Sequence, residues 1–146
     1  MNMKEPIFTW DEETGIATCE LSGIDGMKFI GKATCHNDDL DMKSQHTGYE
    51  LAFRRAEIEA YRYYRNILKS QLDALKQLYY SMKHSGNFNE KSYENYMLQR
   101  QIKLKETDIN EVKTMLIEKR LGITEIIASK EALYQQLRKL RNKNKA

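Results

Sequence analysis

Apolar and polar residues alternate through roughly the first quarter of the chain and then recur at three- and four-residue spacing, so the pattern predicts strands followed by long helices. Ile7, Phe8, Thr9 and Trp10 read as a strand ended by the turn-forming run Asp11 to Gly15. Residues 16–21 set Ala17, Cys19 and Leu21 on one face, and residues 27–35 do the same for Phe29, Gly31, Ala33 and Cys35. The small side chains at Gly31 and Ala33 would let a helix pack closely. A hairpin turning at Ser22 to Gly26 sets Cys19 opposite Phe29. After a polar connection around Asp38, Asp39 and Asp41, Thr47-Gly48-Tyr49-Glu50 has the spacing of a capping box and predicts the start of a first long helix. Its stripe Tyr49, Phe53, Ala56, Ala60 and Tyr64 would face the sheet. Leu68, Leu75, Leu78 and Met82 continue the seam, with Gln71 interrupting it.

The run from Ser85 to Glu90 predicts a turn, with Gly86 suited to a left-handed cap and Asn89 to capping the next helix. Beyond it, thirteen heptad-type positions run from Leu98 to Leu140, and ten are Leu, Ile or Val; Lys105, Lys119 and Lys130 are the exceptions. Gly122 marks a kink or a close crossing. The expected fold is therefore α+β: a short N-terminal antiparallel β-meander followed by a long antiparallel helical hairpin. As one domain, 1–146 would divide into meander and connection at 1–46, first helix at 47–84, turn at 85–91, second helix at 92–142 and basic tail at 143–146. The second helix overshoots the first by about ten residues at helical rise. Its apolar residues there, Leu133, Leu137 and Leu140, need either the chain's own sheet or a second subunit. A homodimer, or a multiple of dimers, is the economical expectation.

Composition adds solubility and charge to this picture. The 146 residues are 31% charged with one proline, which suits long helices. No run of about twenty apolar residues and no secretory leader is visible, so no membrane and a cytoplasmic location are expected. The net charge of +3 hides an asymmetry: residues 1–46 carry 4 basic and 9 acidic side chains, the remainder 20 basic and 12 acidic. A basic helical region suits an anionic ligand, nucleic acid, head-to-tail contact between subunits, or simply a solvated face.

Candidate chemistry is sparse. With the assumed register Cys19 and Cys35 lie about 20 Å apart at strand rise, too far for a disulfide, and no CxxC or paired histidine suggests zinc. His36, His46 and His84 fall at element boundaries, no nucleophile stands in a triad context, and Asp38, Asp39 and Asp41 lack the EF-hand pattern. Glycine-rich phosphate loops are missing, so neither an enzyme nor a cofactor is expected. What remains is a cationic and aromatic set: Arg54, Arg55, Arg62 and Arg65 on the first helix, and Tyr79, Tyr80, Phe88, Asn89, Tyr93, Asn95 and Arg100 around the helical turn. Guanidinium groups bind phosphates, aromatic faces stack on bases, and asparagine amides read base edges or ribose hydroxyls. Tyrosines at helical spacing are also ordinary core residues. Arg54 stands out because it borders the stripe that meets the sheet, where a charge needs a partner, either a ligand or a carboxylate such as Glu50 or Glu57.

Several longer runs carry a resemblance. Gly31 to His36 followed by Asp38 to Asp41, Thr47 to Ala56, Gln77 to Met82, and Lys91 to Asn95 are similar to the phage Thoeris anti-defence sponges of the first described type, and the likeness spans nearly the whole chain. The resemblance implies a bacteriophage protein acting in the host bacterial cytoplasm, which binds cyclic ADP-ribose isomers made by TIR-domain enzymes without cleaving them. Some members also hold cyclic oligonucleotides, and the family assembles from dimers. Matching motif to motif, it implies that Arg54 holds phosphate, Tyr79 stacks on adenine and Asn89 makes polar contacts in the turn; some members carry phenylalanine where this chain has Tyr79. The competing reading is a coiled-coil nucleic-acid binder or phage assembly adaptor that uses the basic C-terminal residues, although no known reading motif is present.

Overall fold

Two tight turns fold the alternating N-terminal segments into a sheet. Asp11 accepts hydrogen bonds through Oδ1 from the backbone N–H groups of Glu13 and Thr14, and Gly15 takes the left-handed conformation at φ 68°. The Gly23 N–H donates to the Met27 carbonyl across the second turn, where Gly26 has φ 82°. In this computed structural model β1 (Ile7–Asp11), β2 (Ile16–Ser22) and β3 (Lys28–Thr34) pair antiparallel in sequence order, followed by helices α1 (Gln45–Lys83) and α2 (Tyr93–Asn144). The fold is thus α+β, an N-terminal meander followed by a helical hairpin. The structure describes residues 4–23, 25–34, 45–85 and 92–144. The expectations for Cys35, His36, Asp38, Asp39, Asp41, Gly86, Phe88 and Asn89 fall outside them.

Pairing places Phe8 and Trp10 opposite Cys19 and Ala17, which in turn face Gly31 and Ala33, so one sheet face is apolar throughout. Cys19 opposes Gly31, not Phe29 as the assumed turn required. The pairing is displaced by two residues, because the hairpin closes around Gly23–Met27; an even slip preserves every face. The helix also starts two residues before the expected cap. Thr47 lies inside the first turn of α1, so the capping box does not form there. Packing overrides the local signal: a Cβ on Gly48 would lie 2.9 Å from the Ala17 side chain and 3.1 Å from the Trp10 ring, which seats this turn on the sheet.

The chain forms two compact units, Met1–Ala60 with Ile117–Ala146, and Tyr61–Leu116. In the first, Ala52, Ala56 and Ala60 of α1 are buried, and Phe8 packs on Tyr49 at a centroid distance of 4.9 Å. Lys119 of α2 pairs with Glu57 at 2.8 Å. In the second unit Lys105 donates to Gln71 at 2.7 Å and Gln99 to Tyr79 at 3.5 Å, so partners on α2 move back as those on α1 advance, the pairing of antiparallel helices; Lys76 also lies 3.8 Å from Glu106.

Burial along α2 follows the heptad through Leu98, Ile109 and Leu116, but near the C-terminal end it passes to Tyr134, with Arg138 and Arg141 half-buried. Leu133, Leu137 and Leu140 are left 52%, 37% and 58% exposed. A straight helix drifts by about 20° per heptad, so a 3.5-residue seam held in register from Leu98 has rotated by about 100° at Leu133. The overshoot therefore meets the chain's own sheet through Tyr134, which lines a cleft with Trp10 and Ala33, while its leucine stripe faces away.

Candidate functional site

The position of Arg54 follows from how closely α1 sits on β3. A Cβ at Gly31 would collide with the backbone carbonyl of Ala52, so no side chain separates helix and strand there, and the following residues of α1 leave along its flanks. Arg54 is half-buried on the flank that meets α2. Its guanidinium lies over Gly122, where an added Cβ would stand 3.5 Å from Nη1 and 3.9 Å from Cζ. Gly122 thus marks a close crossing by an arginine side chain.

No carboxylate among the described residues neutralises this group. Among the described residues Arg54 forms no ion pair or side-chain hydrogen bond. Glu57, a candidate partner on sequence grounds, is held by Lys119, with side-chain exposures of 14% and 17%. Glu50 forms no ion pair among the described residues either. A half-buried guanidinium with five donors and no counter-charge among the described residues has the chemistry to hold an anion.

On the neighbouring flank Arg55 donates from Nη1 to the Lys32 carbonyl at 2.7 Å. Arg55 also lines a cleft together with Trp10, Thr47, Gly48, Lys130 and Tyr134. Sequence reasoning named Arg55 but neither Lys130, Tyr134 nor Trp10 as its companions. They come from β1 and from a part of α2 some 75 residues beyond Arg55, and nothing in their local spacing links them.

Tyr79, Asn95 and Arg100 belong to the second unit. Gln99 Nε2 donates to the Tyr79 hydroxyl at 3.5 Å, and Tyr79 makes an edge contact with Tyr80 at 5.9 Å. Asn95 stands one turn before Gln99, so both share the α2 face turned to Tyr79. Asn95 is only 2% exposed, and its backbone N–H is bonded to Ser92 Oγ at 3.3 Å in the first turn. Arg100, one residue further around the helix, is exposed, as are Tyr80 and Tyr93. Below them Ala74, Leu75, Leu78 and Leu104 line an apolar groove edged by Gln71, Lys105 and Asp108.

Cys19 is a free, fully buried thiol, and burial, aided by the charge of Glu57, pushes its pKa up to about 11; it is unfit as a nucleophile. Among the described residues no group of three His, Cys, Asp or Glu side chains is arranged to hold a metal ion, and no helix is long and apolar enough to cross a membrane. Compared with protein-family models, curated proteins and solved structures, the chain matches none.

Proposed function

We propose that the chain is a phage anti-defence protein that binds and sequesters cyclic ADP-ribose-type immune messengers, and cyclic oligonucleotides, without cleaving them, so that the Thoeris effector in the host bacterial cytoplasm is not activated. The observation that carries this reading is the half-buried Arg54 guanidinium, which lies over Gly122 without a carboxylate partner among the described residues. A pyrophosphate is the kind of group such a fork recognises. The resemblance carried by the runs at residues 31–41, 47–56, 77–82 and 91–95 names the messenger and offers Tyr79 and Asn89 as further contacts; the aromatic and polar chemistry of the residues around the helical turn adds Phe88, Asn95 and Arg100. Calorimetric titration with a panel of cyclic ADP-ribose isomers and cyclic oligonucleotides tests it. Binding to at least one member is expected, with the intact compound recovered after heat denaturation; silence across the panel, or a cleaved product, would overturn it.

The working unit in this reading is a homodimer or a multiple of dimers. The exposed stripe Leu133, Leu137 and Leu140 supports it, since leucines at that spacing on one helix face suit a second apolar surface. Light scattering at micromolar concentration should give a mass of at least twice 17.2 kDa. The alternative, a nucleic-acid-binding or assembly adaptor protein, draws on the exposed Lys139 and Lys143 beside that stripe. It expects duplex binding with steep salt dependence.

A further inference from the structure

We infer that the cleft formed by β1, the first turns of α1 and the C-terminal part of α2 binds a phosphate group, free or carried as a monoester, between Arg55 and Lys130. This site is separate from Arg54 and does not rest on the messenger reading. Arg55 and Lys130 line one recess together with Trp10, Thr47, Gly48 and Tyr134. One Arg55 N–H is committed to the Lys32 carbonyl, which fixes the side chain and leaves four of its five donors. The Lys130 ammonium lies 5.5 Å from the centroid of the buried Tyr134 ring, a cation–π contact that holds it at the wall without neutralising it.

No carboxylate among the described residues comes within ion-pair distance of either cation. Glu50 and Glu125 share the next groove with Lys130 but do not pair with it, and Glu12 accepts the Trp10 indole N–H at 2.6 Å. Two like charges converging on one recess repel, and the repulsion is relieved by an anion that accepts from both. The recess is shallow, with a cavity volume of about 30 Å³, and opens to solvent. A space so far below the roughly 300–1,000 Å³ of sites that enclose a small molecule leaves room for one phosphate group held at the mouth and not for a buried dinucleotide.

Trp10 is the chain's single tryptophan and lines the cleft, so its emission reports directly on occupancy. Inorganic phosphate, titrated at constant ionic strength against sodium chloride, should change that emission saturably with a half-point at or below about 10 mM. Adenosine monophosphate run in parallel separates the two sources: tighter binding than phosphate assigns a monoester, equal or weaker binding free phosphate. Lys130→Gln should weaken binding at least 5-fold. Its ammonium donates no hydrogen bond to a described residue, so this variant keeps the test sound even if Arg55→Gln fails to fold. Arg54→Ala should leave the phosphate titration unchanged, which lets this site and the messenger site fail independently. A flat trace with phosphate and nucleotide, a response that chloride reproduces, or wild-type affinity in Lys130→Gln would overturn the inference.

Discussion

Lys105, Lys119 and Lys130 interrupt the apolar seam of α2, and each charge is met in its own way. Lys105 donates to Gln71, the residue that interrupts the seam of α1, so the two polar breaks satisfy each other. Lys130 lies beside the Tyr134 ring, and Lys119 pairs with Glu57 where both side chains are mostly buried. Replacing Glu57 by Gln removes the carboxylate that this sheltered ammonium meets at 2.8 Å. Urea unfolding should show a loss of about 1–3 kcal/mol, whereas a loss below about 0.5 would mean solvent already screens the pair. The same carboxylate acts on Cys19, whose pKa lies at about 11 against its ordinary 9.0, first through burial and then through the charge of Glu57. Because the folded value is the higher one, burial of the neutral thiol contributes stability that is complete below about pH 9 and is lost as pH rises through 11. A difference of that size corresponds to roughly 3 kcal/mol at the limit. Between pH 8 and 11 the wild type should therefore lose stability more steeply than Cys19→Ala; parallel slopes would show that the thiol is not held neutral by the fold.

Among the elements, the two glycines at close crossings predict opposite responses. At Gly31 a methyl group meets the Ala52 carbonyl, which belongs to helix backbone and cannot turn aside. Gly31→Ala should cost at least about 3 kcal/mol, the upper end of overpacking, or prevent folding. At Gly122 the same methyl makes ordinary contact with the Arg54 guanidinium at 3.5 Å and favours the helix, so Gly122→Ala should raise stability by up to about 1 kcal/mol. Thermal unfolding of the two variants checks both signs. The close approach at Gly31 was legible because small residues at alternate positions of a strand admit a helix. The sheet faces were legible because a two-residue slip leaves a period of two unchanged, even though Cys19 proved to oppose Gly31. The helix start was not, since contact of Gly48 with Ala17 and Trp10 outweighs a capping signal read from four residues. Nor was the switch of the seam from Leu133 to Tyr134, which depends on accumulated helix rotation that a fixed heptad ignores. The recess between Arg55 and Lys130 joins three distant segments, so only tertiary structure could reveal it.

For the whole molecule, the two functional readings rank the same mutants in opposite order. Arg54 is half-buried and unpaired among the described residues, whereas Lys139 and Lys143 are exposed on the last turns of α2. Arg138 and Arg141 are half-buried and have protein partners, so the lysines are the cleaner probes of tail charge. If Arg54 holds a messenger phosphate, Arg54→Ala should weaken binding by about 1.5–3 kcal/mol, roughly 10- to 150-fold, while the oligomer mass stays the same. Arg54→Lys should restore only part of that loss, because an ammonium keeps the charge but lacks the planar fork. Lys139→Gln and Lys143→Gln should leave messenger affinity unchanged. A nucleic-acid protein would respond the other way: each lost lysine removes about one phosphate contact and flattens the salt dependence by about one, with Arg54 nearly silent. Calorimetry with the messenger panel and duplex binding at several salt concentrations, run on the same variants, therefore separates the readings. Wild-type messenger affinity in Arg54→Ala would remove Arg54 from the pocket even if a messenger binds elsewhere, and a flattened salt slope in the lysine variants would move the function to the end of α2.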